Sequence, residues 1–296
     1  MHLTIRKGNQ MLKSLKYGLH SYLLLSIALV QCLACNGQQN RAAEIRTVKE
    51  VESWELIFED EFNNDLTLWN VWNSGAFNEE IQMYRTEQLR LENGILKIHA
   101  QREAITGAST IHDATPKRFE YVSGRIESKQ QFGPSDKDGE REYRFVARIK
   151  LPAGHGMWPA FWTYGDPWPT QGEIDILEAR GGRPMEYLSN LFFGTTPGVN
   201  VNQGADVLHK MSEDLTAVFH TYEMIWKTDT IAILLDGTLL HTYTANATNN
   251  IANFFGKKQK VVLNTAVGGT FFKDRNSPNY VDRATMEIDW VRVYKR

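Results

Sequence analysis

From Trp54 to the C-terminus the chain reads as short runs of alternating apolar and polar residues, punctuated by turn signals. Residues 144–151 and 287–294 alternate with a period of two, which predicts strands with one buried face. Asn93-Gly94 and Asp236-Gly237 each stand between apolar runs and predict tight hairpins. Residues 222–226 and 231–235 flank Lys227–Thr230 and predict a third hairpin. Long helical periodicity is nearly absent; one short helix is expected over residues 250–255. Polar stretches at 133–142 and 195–204 read as loops long enough to border a cleft. With no internal repeat and no second domain in view, the pattern predicts an all-β sandwich or jelly roll.

The N-terminus breaks this pattern. Lys13 and Lys16 precede an apolar run, residues 22–30, that is too short to span a bilayer comfortably. A basic segment, a short apolar core and small residues predict an export signal, for which Met11 gives a tidier start than Met1. The only two cysteines, Cys32 and Cys35, lie at its end, so neither can form a disulfide within the β domain. Residues 33–37 resemble a bacterial lipoprotein processing site, which implies lipid on Cys35; ordinary signal cleavage nearby is the alternative. The expected organisation is a signal at 1–35, a polar tether at 36–50 and one β domain at 51–296. The expected location is the bacterial cell envelope, with membrane contact through the N-terminal lipid alone.

The chemistry concentrates in residues 172–178. Glu173, Asp175 and Glu178 fall within a segment that otherwise reads as a strand. Alternation puts Glu173 and Asp175 on one face, and Glu178 has the wrong parity for it. A β-bulge, which adds one residue, would return Glu178 to that face. Like charges so placed force their pKa values apart, the condition for making an acid and a nucleophile from the same group. Retaining glycoside hydrolysis uses such a pair, about 5–5.5 Å apart. Trp158, Trp162 and Trp168 stand just upstream, and flat indoles suit the C–H faces of sugar rings. The plainer alternative is a solvated strand face with tryptophans in the core.

Residues 173–184 resemble the active-site signature of glycoside hydrolase family 16, in its bulged E-x-D-x-x-E form. Residues 54–62, 78–84, 91–100, 121–128, 144–152, 264–269 and 287–294 match further segments of the family in its order. The resemblance implies a jelly roll whose concave sheet carries the cleft. It implies Glu173 as nucleophile, Glu178 as acid/base and Asp175 as the carboxylate that tunes the nucleophile. It places Trp158 and Trp162 along the sugar cleft, with Trp168 beside them, and brings Asn78 and Arg144 near it. Asn78, Glu80 and Gln82 share a face if their segment alternates; a structural ion pair is the other reading of Arg144. Glu61, Gly94 and Asp289 match positions at which the family often binds structural calcium; hydrogen bonds or a surface pair are the alternative. No cofactor is required by chemistry that two carboxyls perform.

Within the family the pattern is most similar to bacterial laminarinases, so β-1,3-glucan is the expected substrate of an endo-acting enzyme. Val146, Phe192 and Phe271 depart from laminarinase patterns. Marine galactans (agar, porphyran, carrageenan) or mixed-linkage glucan are the alternative substrates. A transglycosylase, or a non-catalytic lectin on the same fold, are the alternatives in activity. A formal net charge of −2 offers no electrostatic case for nucleic acid. The expected partner is a polysaccharide, and the expected state a monomer.

Overall fold

The computed structural model describes residues 53–134, 142–201, 205–246, 251–255 and 258–296. The expected signal, Cys35 and the tether lie outside the described residues, as do parts of the two loops. The strands, in chain order, are β1 (Glu55–Asp60), β2 (Trp69–Val71), β3 (Gln82–Tyr84), β4 (Leu89–Glu92), β5 (Ile95–Thr110), β6 (Asp113–Ser123), β7 (Arg125–Phe132), β8 (Tyr143–Lys150), β9 (Met157–Tyr164), β10 (Glu173–Ala179), β11 (Glu186–Phe192), β12 (Val207–Lys210), β13 (His220–Trp226), β14 (Thr230–Leu235), β15 (Thr238–Thr244), β16 (Gln259–Val267) and β17 (Arg283–Lys295). One helical turn, α1 (Ile251–Phe254), falls where the short helix was expected.

Two sheets form a sandwich. The first runs β15-β14-β13-β8-β17-β5-β6-β3, with β1 on β17 and β4 on β5. The second runs β12-β11-β10-β9-β16-β7-β2. The three expected hairpins form. Asn93 and Gly94 (φ 56° and 73°) and Asp236 and Gly237 (φ 49° and 74°) take the left-handed values of a tight hairpin turn. Alternation delivers Phe145, Ala147 and Ile149 from β8, and Ile174, Leu191 and Leu263 from the second sheet, into one continuous core.

The family-like segment at residues 121–128 spans two strands. The chain turns at Gly124, leaving β6 in the first sheet and starting β7 in the second. A Cβ at Gly124 would stand 2.5 Å from a methyl of Leu89, so the corner needs glycine for lack of room.

Sheet membership also corrects Arg144. It sits on β8, in the sheet without the three carboxylates, and alternation turns it away from the core. Its guanidinium donates to Glu223 at 2.7 and 2.5 Å across the β8–β13 pair, the ion-pair reading. Val146 shares that outward face, so its departure from relatives does not bear on the cleft. The calcium residues are engaged elsewhere too. Glu61 accepts from Arg292 at 2.5 Å, and Asp289 is paired with Arg148. Both carboxylates thus take part in arginine pairs, the alternative reading of these residues, while the Glu61 carbonyl lies close to Gly94. Among the described residues no three His, Cys, Asp or Glu side chains cluster as metal ligands.

Candidate active site

The outer face of the second sheet carries three cross-strand rows. Arg125, Asn264, Ala160, Glu178 and Leu188 form one. Glu127, Val262, Trp162, Asp175 and Asn190 form the next. Lys260, Tyr164, Glu173 and Phe192 form the third. The register between β9 and β10 shifts between Asp175 and Leu177, and that between β10 and β11 between Asp175 and Glu178. The extra residue sends both Ile176 and Leu177 into the core and returns Glu178 to the face of Glu173 and Asp175. The bulge expected from parity is therefore present.

Indoles hold the two glutamates. Trp158 Nε1 donates to Glu178 Oε1 at 2.9 Å, and Trp168 Nε1 donates to Glu173 Oε2 at 2.7 Å. Trp158 comes from β9. Trp168 comes from the β9–β10 connection, which closes on itself through Thr170 N–H to Pro167 O and Gly172 N–H to Pro169 O, both 2.9 Å. Trp162 donates to Asn264 Oδ1 at 2.7 Å, and Asn264 donates to Tyr84 Oη at 3.1 Å.

Trp158 stands otherwise than expected. It is only 9% exposed, and its ring stacks on Phe271 at 4.4 Å and 14°. Phe271 covers one face of its ring, so it holds Glu178 through its N–H rather than standing open as a platform for sugar. Asn78 also differs. It precedes β3 with φ 57°, so strand alternation does not apply to it; its carbonyl accepts Thr270 N–H at 2.8 Å. Glu80 and Gln82, buried, hydrogen-bond each other at 2.6 Å.

At the β7 end of these rows lies a buried ion pair that alternation alone did not single out. Arg125 Nη2 donates to Glu127 Oε1 at 2.6 Å, both side chains under a tenth exposed. The guanidinium lies 3.7 Å over Trp72 and 4.8 Å from the Trp162 ring centre. Tyr164 Oη donates to Glu127 at 3.2 Å. The signal was Arg and Glu at i, i+2 in a strand, which reads equally well as a solvated face.

Burial raises all three carboxyls of β10. Glu173 is pushed up to about 8 by desolvation and by the Glu178 charge, against the pull of the Trp168 N–H. Glu178 is pushed up to about 7 by desolvation, against the Trp158 N–H and Arg180. Asp175, 3% exposed, is raised well above its usual range by desolvation and both neighbours, and its Oδ2 has no hydrogen-bond partner. A proton on Asp175 costs less there than a bare charge. Near neutrality the trio thus holds protons and charge together, with ionisation of one glutamate raising the proton affinity of the next.

The Trp158 bond yields a prediction. Trp158→Phe keeps the ring stack on Phe271 and removes the N–H that favours ionised Glu178. The limb of the kcat/KM profile set by Glu178 should move up by about one pH unit, the scale of a lost hydrogen bond to a charge. A pH–rate series checks it; an unmoved limb would show that the indole does not tune Glu178.

The chain is similar to known proteins over most of its length. The family model described as glycosyl hydrolases family 16 matches residues 77–292. The chain is 33% identical over 276 residues to a glucan endo-1,3-beta-glucosidase A1 of Niallia circulans, covering 83% of this chain and 38% of that protein. It is 33% identical over 271 residues to a glucan endo-1,3-beta-glucosidase of Cryptopygus antarcticus, covering 82% of this chain and 92% of that one. Among solved structures, an endo-beta-1,3-glucanase from Pyrococcus furiosus superposes with a TM-score of 0.67 at 29% identity, covering 81% of this chain and 94% of that one.

Proposed function

The chain belongs to the glycosyl hydrolases family 16, and from that premise we propose that it is a retaining, endo-acting hydrolase of β-1,3-glucan. The observation that carries the reading is the bulged β10, with two glutamates on one face and an indole N–H on each. The relatives named as glucan endo-1,3-beta-glucosidases support the glycan.

Glu173 attacks the anomeric carbon while Glu178 protonates the leaving oxygen, giving a glycosyl ester on Glu173. Glu178, now ionised, takes a proton from water, which attacks the same carbon and frees the sugar with retained configuration. The Trp168 N–H lets Glu173 carry charge in a site whose burial resists it. Asp175 holds a proton beside it, sparing the trio a further charge. A lectin would need neither paired glutamates nor indole donors aimed at them.

Incubating the purified β domain with laminarin, mixed-linkage glucan, agarose and porphyran, and sizing the products, tests the substrate. Laminarin should give a ladder of oligosaccharides before glucose accumulates. If laminarin survives while a galactan is degraded, the glycan assignment fails. The resemblance at residues 33–37 further supports a lipid on Cys35; mass spectrometry of the mature N-terminus decides this, and an unmodified N-terminus elsewhere would rule it out.

A further inference from the structure

We propose that the cavity beyond Glu178 is a subsite for an anionic group carried by the glycan, a sulfate ester or a carboxylate. The cavity, about 460 Å³, is lined by Arg180, Arg183, Lys273, His155 and Asp274 among others. Ala179 points into the core, and the next residue, Arg180, returns to the cleft side. Its Nε and Nη2 donate to the Phe271 carbonyl at 3.1 and 3.0 Å, and its guanidinium lies 3.8 Å over the Phe271 ring. This fixes the cation without neutralising it. Among the described residues Arg180 and Lys273 form no ion pair, whereas Arg183 is paired with Glu186 at 2.9 Å. The one carboxylate of the lining, Asp274, is engaged by His155 Nε2 at 2.8 Å and by Tyr280 Oη at 3.2 Å.

Two cations therefore line the cavity without a directly paired carboxylate, the charges of Glu178, Glu186 and Asp206 reaching Arg180 only at longer range, and three N–H bonds of Arg180 remain to be matched. Burial first, and then the Arg183 charge, pull the Arg180 pKa down against the opposing charges of Glu178, Glu186 and Asp206. A neutral glucan answers none of this; a planar carboxylate or a sulfate answers it with charge-assisted hydrogen bonds. The place relative to the chemistry is favourable. Phe271 joins Arg180 to Trp158 by stacking, and Trp158 holds Glu178, so the cavity stands two rings from the acid/base. A substituent on a sugar near the scissile bond is within its reach.

The test rests on the β-1,3-glucan reading only for its probes: laminarin, sulfated laminarin and carboxymethylated laminarin of matched length. The readout is the ratio of KM on each anionic polymer to KM on laminarin. In Lys273→Ala the ratio should rise about threefold to tenfold, and in Arg180→Gln at least as much, with the difference fading at high salt. The sulfated and carboxymethylated arms distinguish which oxyanion is preferred. A ratio equal to wild type in both variants would overturn the subsite. Gel retardation by the same three polymers reads binding without turnover. If laminarin is not cleaved, the functional reading falls, while retardation by the anionic polymers that weakens in Lys273→Ala still supports the cavity. Equal retardation of wild type and Lys273→Ala overturns it.

Discussion

Glu173→Gln and Glu178→Gln are each expected to lower turnover by about 10²–10⁴-fold or more, while giving a folded protein of greater alkaline stability. The loss follows from the two roles: an amide at 173 is no nucleophile, and an amide at 178 has no proton to deliver at the required affinity. The stability gain follows from burial. Both carboxyls have folded-state pKa values of about 8 and about 7, raised above a reference of 4.5. The folded state therefore holds extra protons between pH 4.5 and 8, so stability falls as pH rises through that window. Glutamine removes the ionisation and the penalty with it. Melting curves at pH 5 and pH 8 should show the variants gaining on wild type as pH rises. Turnover near wild type on a cleaved substrate would sink the assignment. Equal pH dependence of melting would show that the carboxyls are not raised.

Arg125→Met should destabilise the domain by about 3–5 kcal/mol, because it leaves Glu127 buried without its cation. For a domain of this size that is a melting shift on the order of 10 °C. Trp72 and Trp162, which both pack against the guanidinium, lose that partner as well. Adding Glu127→Gln to Arg125→Met removes the stranded charge, so the double variant should be more stable than Arg125→Met alone. Denaturant unfolding of the four proteins measures the coupling. A single variant as stable as wild type would mean that the pair is not a buried charge pair.

The carboxylate face was legible because two local facts met in residues 173–178: a period of two, and a third acid at the wrong parity that only a bulge could rescue. Hairpins at Asn93-Gly94 and Asp236-Gly237 were legible for the same reason, as their signal lies within two residues. What escaped was long-range. Nothing in residues 144–151 says which sheet β8 joins, since strands of both sheets alternate alike, and Arg144 was misplaced on that account. The aromatic cluster announced itself, but not its use. That Trp158 lies under Phe271 depends on the loop after β16, about 110 residues away. The corner at Gly124 had a faint signal, a glycine inside an alternating run, which marks a bend as often as a weak strand. Arg125 and Glu127 had the right spacing for a shared face, and only the rings of Trp72 and Trp162 show that this face is closed to water around them.

The central claim is that Glu173 and Glu178 work as a close pair on one face, so that water replaces the sugar from the side it left. Proton NMR of the first products released from laminarin reads this directly, before mutarotation equalises the anomers. The β-anomer should appear first. Initial release of the α-anomer would require a water between the carboxyls and the sugar's opposite face, and would contradict the arrangement on β10.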